Sequence, residues 1–114
     1  MSVFDTKRCQ ACEGGVAPLN QEEAQRLLVA FPQWTLNETG TEIHRTFTFQ
    51  NYYETIAFVN AAAWISHQED HHPDLEVSYN RCVVRYTTHA IKGLSENDFI
   101  CAAKLNKLIA LSKK

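Results

Sequence analysis

Four of the five histidines of this chain stand close together: His67, His71 and His72, then His89 one strand pattern later. Imidazole titrates near neutrality, so several of them can divide the roles of proton donor and proton acceptor at pH 7. Neighbouring imidazoles resist being protonated together, which splits their titrations. Such a set suits an elimination or a hydration, where one group leaves with a proton and another loses one. Carboxylates fence the run Glu69-Asp-His-His-Pro-Asp74, and Pro73 pushes His72 out of helical geometry. Two other readings compete. His67 and His71 stand at i and i+4, a spacing that lets two imidazoles share a metal ion, with Asp70 or Asp74 completing the set. Gln68, however, occupies the place of the glutamate base in a zinc-protease helix. Alternatively, His71 and His72 simply cap a polar helix end. His44 falls on the polar side of a strand pattern and reads as a solvated surface residue.

Positioning these imidazoles takes a helix, a hairpin and the start of a second helix. Residues 51–71 read as a long helix, with Tyr52, Ile56, Val59 and Ala63 as its inward stripe and Ser66, His67 and Asp70 as its polar end. Ala61, Ala62 and Ala63 favour helix. His71 then falls in or just after the last turn. Leu75, Val77 and Tyr79 alternate as a strand, and Asn80-Arg81 forms a short turn. Cys82, Val84, Tyr86 and Thr88 face one side of the next strand, which His89 closes. The last helix begins at Ser95 as N-cap, with Asp98 at the third position and Leu94 against Phe99. Its face is Ala102, Leu105, Leu108 and Ile109, and Lys104, Lys107, Lys113 and Lys114 lie toward its C-terminal end.

Upstream, Asn20 and Glu23 form a capping-box pair ahead of the stripe Ala24, Leu27, Leu28 and Phe31, and Pro32 limits that helix. Trp34-Thr-Leu36 is a short strand, Asn37 to Gly40 a turn, and residues 41–49 a half-buried strand with Ile43, Phe47 and Phe49 inward. Arg45 is the one charge on that inward side. Trp64 and Tyr79 are expected in the core. The order is helix, strand, strand, helix, strand, strand, helix. It implies an α+β fold: one domain over residues 19–114, with a four-stranded, mainly antiparallel sheet and three helices on one face. Residues 1–18 read as an N-terminal arm, broken by Gly14, Gly15 and Pro18.

Composition narrows the function. The 114 residues suit one domain, 45% are hydrophobic, and the formal net charge is −2, which argues against a dedicated nucleic-acid binder. No run approaches the ~20 apolar residues of a membrane span, and the first residues lack an apolar signal core. The expectation is a cytoplasmic protein whose four cysteines are reduced thiols. Cys9-x-x-Cys12 lacks the second half of a zinc site and the strand of a redox motif. It reads as incidental thiols on a flexible segment.

The histidine region resembles the pterin-4a-carbinolamine dehydratases (4a-hydroxytetrahydrobiopterin dehydratases). That family's pattern is a charged residue, three residues, His, His or Asn, Pro, five or six residues, an aromatic, nine residues, His, a variable gap, then Asp. Here it is met by His67, His71, His72, Pro73, Tyr79, His89 and Asp98. Thr87-Thr-His89 and Gly93-Leu-Ser-Glu-Asn-Asp-Phe99 also look typical, and the similarity runs from about residue 9 to the C-terminus. One departure stands out: animal members carry glutamate where this chain has His67. The resemblance implies a hydro-lyase that dehydrates 4a-hydroxytetrahydrobiopterin to quinonoid dihydropterin, recycling the pterin of an aromatic amino-acid hydroxylase. It implies His71, His72 and His89 as catalytic residues, with His67, Pro73 and Asp98 at the pterin, and no metal or cofactor. It also implies a homodimer or homotetramer. Two alternatives come with the resemblance: a non-catalytic dimerisation cofactor for a transcription factor, or a role near molybdopterin metabolism.

Overall fold

A computed structural model describes residues 3–10 and 17–112 of the chain. Cys12, Gly14, Gly15, Lys113 and Lys114 therefore lie outside the described residues. A 3-10 turn at Val3–Thr6 comes first, then α1 (Gln21–Leu28), β1 (Thr35–Leu36), β2 (Ile43–Thr48) and α2 (Tyr52–Glu69). β3 (Asp74–Val77), β4 (Arg81–Tyr86), a 3-10 turn at His89–Ile91 and α3 (Glu96–Ser112) complete the chain. The four strands form one antiparallel sheet in the order β1-β2-β4-β3. The expected α+β architecture is the one observed.

Local chemistry explains where the elements begin. The Asn20 side chain accepts from the Glu23 N–H at 2.8 Å, and the Glu23 carboxylate accepts from the Asn20 N–H at 2.9 Å, a complete capping box. Asn51 caps α2 in the same way through the Glu54 N–H at 2.9 Å. In the β1–β2 turn, Gly40 takes φ 72°, a left-handed conformation that glycine adopts without strain. Asn37 Oδ1 holds that turn by accepting from the N–H groups of Thr41 and Glu42.

The inward side of the sheet reads Ile43 and Phe47 on β2 and Cys82, Val84 and Tyr86 on β4, all buried. Registry places Phe47 opposite Cys82 and Ile43 opposite Tyr86, so the alternation of both strands meets on one face. Arg45, the charge on that side, lies over the Phe47 ring at 4.2 Å and donates to Asn106 Oδ1 of α3. Ala102, Leu105 and Phe99 of α3 close the core, with Phe31 against Phe99 at 5.5 Å.

Several expectations need correction. The buried face of α2 is Thr55, Phe58, Ala62, Ser66 and Glu69, one position away from the expected stripe; Tyr52 and Ala63 are exposed. β4 ends at Tyr86, and His89 opens a 3-10 turn instead of closing the strand. The β3–β4 connection is Ser78 to Asn80, closed by the Ser78 N–H to Arg81 carbonyl bond at 2.8 Å. Tyr79 therefore stands on the turn, 62% exposed and stacked on Tyr52, and Trp64 is 61% exposed. Neither is core.

Candidate active site

The C-terminal end of α2 sets the first histidine. Asp70 caps that helix at φ 51°, a left-handed conformation that aspartate tolerates better than most residues. The Asp70 and His71 N–H groups both reach the Ser66 carbonyl. This reversal takes His71 off the helix and turns it toward the start of α3. It also removes the premise of a shared i, i+4 metal pair, because His67 remains on the helix, exposed and packed on the Trp64 ring at 5.7 Å.

His71 meets Asp98 there, with Nε2 and Oδ1 2.6 Å apart. Asp98 has no exposed area. Its second oxygen accepts from the Thr88 hydroxyl at 2.8 Å and from the Ser95 N–H at 3.0 Å. One carboxylate thus does two jobs: Oδ2 caps α3 and Oδ1 orients a histidine. An anionic acceptor next to the ring fixes Nε2 as the protonated nitrogen, which leaves Nδ1 as the lone-pair nitrogen of neutral His71. Among the described residues, Nδ1 has no protein partner. Tyr86 stacks on the imidazole at 5.9 Å and 10°, a flat wall on one side of the ring. Among the described residues the buried Tyr86 hydroxyl has no well-formed hydrogen bond; burial, with Cys101, Asp98 and Cys9 nearby, pushes it well above the usual 10 for a phenol.

A cavity of about 380 Å³ opens beside this pair, lined by Glu69 to His72, Thr87 to Ala90, Asn97, Cys9 and Gln10. Its volume falls in the range of small-molecule sites. His72 and His89 are exposed on its walls. The loop carrying His89 is pinned at its ends: Thr88 and Gly93 bridge, with the Thr88 N–H to Gly93 carbonyl bond at 2.9 Å, and the Thr87 hydroxyl donates to the Thr41 carbonyl at 2.6 Å. A larger concavity of about 670 Å³ lies between Phe49, Phe58 and Leu108, but among the described residues Glu54 is its one titratable lining residue. The histidines therefore gather at the smaller one.

The structure brings His71, His72 and His89 to this cavity. Asp98 lies behind His71, enclosed by protein. His67 and Pro73 do not line the cavity. Sequence reasoning gave no site role to Glu69, Asn97 or Cys9, and placed Thr88 only as an inward strand residue. The Glu69 side chain is 4% exposed and meets Arg8 at 2.9 Å, Lys104 at 3.7 Å and the Cys9 N–H at 2.8 Å. Burial pushes its carboxyl up, but the Cys9 N–H, Lys104 and Arg8 together outweigh that and hold it below its usual 4.5. Thr88 is the last inward residue of that strand alternation, and its bond to Asp98 is what the pattern does not show. Cys9 has no such local signal, since its partners are long-range.

Comparison with known proteins gives the family and the fold. The family model for pterin 4 alpha carbinolamine dehydratase matches residues 17–108. A relative from Nitrosomonas eutropha, provisionally named a pterin-4-alpha-carbinolamine dehydratase, is 62% identical over 104 residues, 90% of each chain. Among solved structures, a transcriptional coactivator/pterin dehydratase from Brucella melitensis superposes with TM-score 0.76 at 31% identity, covering 80% of this chain and 97% of that one. A pterin dehydratase-like protein identified as a RuBisCO assembly factor in the alpha-carboxysome reaches TM-score 0.58 at 21% identity, over 67% of this chain and 88% of that one. At that identity it shares the fold alone.

Proposed function

The chain belongs to the pterin 4 alpha carbinolamine dehydratase family, and from that premise we propose that it dehydrates 4a-hydroxytetrahydropterins by histidine acid–base catalysis. The observation that carries the proposal is the buried Asp98 holding His71 at the wall of a cavity shared with His72 and His89. The reaction removes hydroxide from C4a as N5 supplies its electron pair. Hydroxide is a poor leaving group, so an imidazolium must protonate it, and N5 must lose its proton to a base. The products are water and the quinonoid dihydropterin. His71, with Nε2 committed to Asp98, offers Nδ1 as the base, and Asp98 offsets the charge that the ring then takes up. His72 or His89 is the proton donor to the departing hydroxyl. A reductase-recycled pterin would link the protein to an aromatic amino-acid hydroxylase.

The test is stopped-flow absorbance of 4a-hydroxytetrahydropterin decay at pH 7, with and without protein and with a chelator. Protein-dependent acceleration that survives the chelator supports the metal-free mechanism. Folded protein that leaves the decay at its uncatalysed rate removes the dehydratase reading.

Self-association belongs to the same reading. β3 is an edge strand with Val77 42% exposed, and beside its turn lie Tyr52 and Tyr79, with Tyr53 and Trp64 also exposed on α2. Aromatics gathered this way suit burial against another copy of the chain. Sedimentation equilibrium distinguishes the homodimer or homotetramer from a monomer.

A further inference from the structure

We propose that the N-terminal segment Arg8 to Gln10 is a working wall of the histidine cavity, clamped there by Glu69 and Asn97, and that it sets affinity for the pterin rather than the rate of dehydration. The inference rests on the dehydratase reading and goes beyond the family match, which begins at residue 17. Cys9 and Gln10 line the same cavity as His71, His72 and His89.

The segment is fastened from two sides. Asn97, buried at the second position of α3, makes a two-point pair with the Gln10 backbone: its Oδ1 accepts from the Gln10 N–H at 3.0 Å, and its Nδ2 donates to the Gln10 carbonyl. Glu69, on the last turn of α2, takes the Cys9 N–H on one oxygen and Arg8 on the other. Arg8 also donates to the Gln68 carbonyl at 3.0 Å. The Cys9 thiol sits 3.7 Å from both the Cys101 thiol and the Asn97 carbonyl. Phe4 packs on Phe31 at 5.9 Å, and Lys104 donates to the Asp5 carbonyl at 3.1 Å. Two of the three groups that hold this buried carboxylate charged, the Cys9 N–H and Arg8, belong to the segment, so releasing it would leave Lys104 of α3 as the remaining partner. The backbone of Gln10 is fully engaged by Asn97, which leaves its side-chain amide for the cavity. A carboxamide offers one donor and one acceptor edge, complementary to the amide-like pyrimidine ring of a pterin.

None of these groups carries a proton in the reaction. Their loss therefore removes binding common to ground and transition state, which raises KM and spares kcat. The experiment uses three proteins: the full chain, the chain lacking residues 1–10, and the full-length Gln10→Ala variant, in which the Asn97 clamp on the backbone persists. KM, kcat and the pH–rate profile are measured for each, with circular dichroism and melting as folding controls. The expected result is a KM about tenfold or more higher on truncation. For Gln10→Ala it is several-fold higher, with kcat within about threefold and the pH profile unmoved. If the truncated chain does not fold, iodoacetamide on Cys9 in a full-length Cys12→Ser background takes its place, and the added group must raise KM likewise. KM within twofold of the full chain for folded truncated protein, or for the alkylated protein, overturns the proposal. A fall in kcat with unchanged KM overturns it too. A full chain without turnover removes the dehydratase reading itself, a different outcome from an unaltered KM.

Discussion

Replacing Asp98 with asparagine changes no volume and removes one charge, and the surrounding donors dictate how the new carboxamide must sit. The Oδ2 position receives the Ser95 N–H, which can only donate, and the Thr88 hydroxyl, whose oxygen also lies 2.7 Å from Ser95 Oγ. The carboxamide oxygen must therefore occupy that position, because an NH2 group there would face the Ser95 N–H donor to donor. Nδ2 then falls against His71 Nε2, where Oδ1 stood 2.6 Å away. An amide donates, so Nε2 must accept, and the proton of the neutral ring moves to Nδ1. The cavity then meets an N–H where it had a lone pair. Losing a positioned general base costs about 10²- to 10⁴-fold, which is roughly 3 to 5 kcal/mol in the barrier at ~1.4 kcal/mol per decade. The α3 cap survives, so the stability loss should stay near 1–2 kcal/mol, the difference between a charge-assisted and a neutral hydrogen bond to a buried acceptor. Two assays bear on it together: stopped-flow dehydration for kcat, and long-range nitrogen–proton correlation spectra for the His71 tautomer. An inverted tautomer with kcat within threefold of wild type would refute the reasoning, since the base would then not be His71 Nδ1.

Three other perturbations test the same geometry. His71→Ala and His89→Ala should each lower kcat by about 10²- to 10⁴-fold, whereas His67→Ala, exposed on the outside of α2, should stay within about threefold; steady-state rates at pH 7 check the contrast. In a Cys12→Ser background, Cys9 should react with a thiol reagent in native protein. Cys82, raised by burial, and Cys101, raised by its contact with Cys9 and by burial, should react only after denaturation; time-resolved thiol titration counts them. Glu69→Gln should cost about 1–3 kcal/mol at neutral pH. The native Glu69 carboxyl lies below its usual 4.5, so its contribution is complete above pH 4.5 and fades as pH falls through the native value. The melting-temperature gap between wild type and Glu69→Gln should therefore shrink in acid, and a gap independent of pH would contradict the role given to its charge.

What the sequence reveals here depends on how far away a residue's partners are. Asn20 with Glu23 and Ser95 with Asp98 are pairs three residues apart, so cap chemistry locates two helix starts without any tertiary knowledge, and Asn51 with Glu54 repeats the spacing at α2. The period-two pattern of β2 and β4 is equally local, and it brings out even Thr88, buried at the end of its row. α2 defeats the same logic. Tyr52, Ala63 and Trp64 are exposed, and Ile56 and Val59 are half-buried, so apolar residues run around much of the helix and the period alone cannot choose the face. The deciding residues are polar: Thr55 bonds the Tyr79 carbonyl at 2.9 Å, Ser66 bonds the Ala62 carbonyl, and Glu69 faces Arg8 and Lys104.

The site itself divides along the same line. His71, Asp98 and His89 come together because Asp70 can turn left-handed and Ser95 needs a cap, both local facts. Cys9, Glu69 and Asn97 come together across 60 to 88 residues of chain, and nothing in the spacing of any one of them announces the others. A glutamate on the last turn of a helix reads as a solvated residue unfavourable to the dipole. It stays charged while buried because a segment far upstream brings an arginine and a backbone N–H to it, alongside Lys104 of α3. That is also why the segment matters. Glu69 could have been a neutral or apolar residue if all it had to do was fill the space beneath His71. A buried charge that needs the Arg8 to Gln10 segment as its partner makes sense only if the segment is to be kept in place, and the place it keeps is the edge of the histidine cavity.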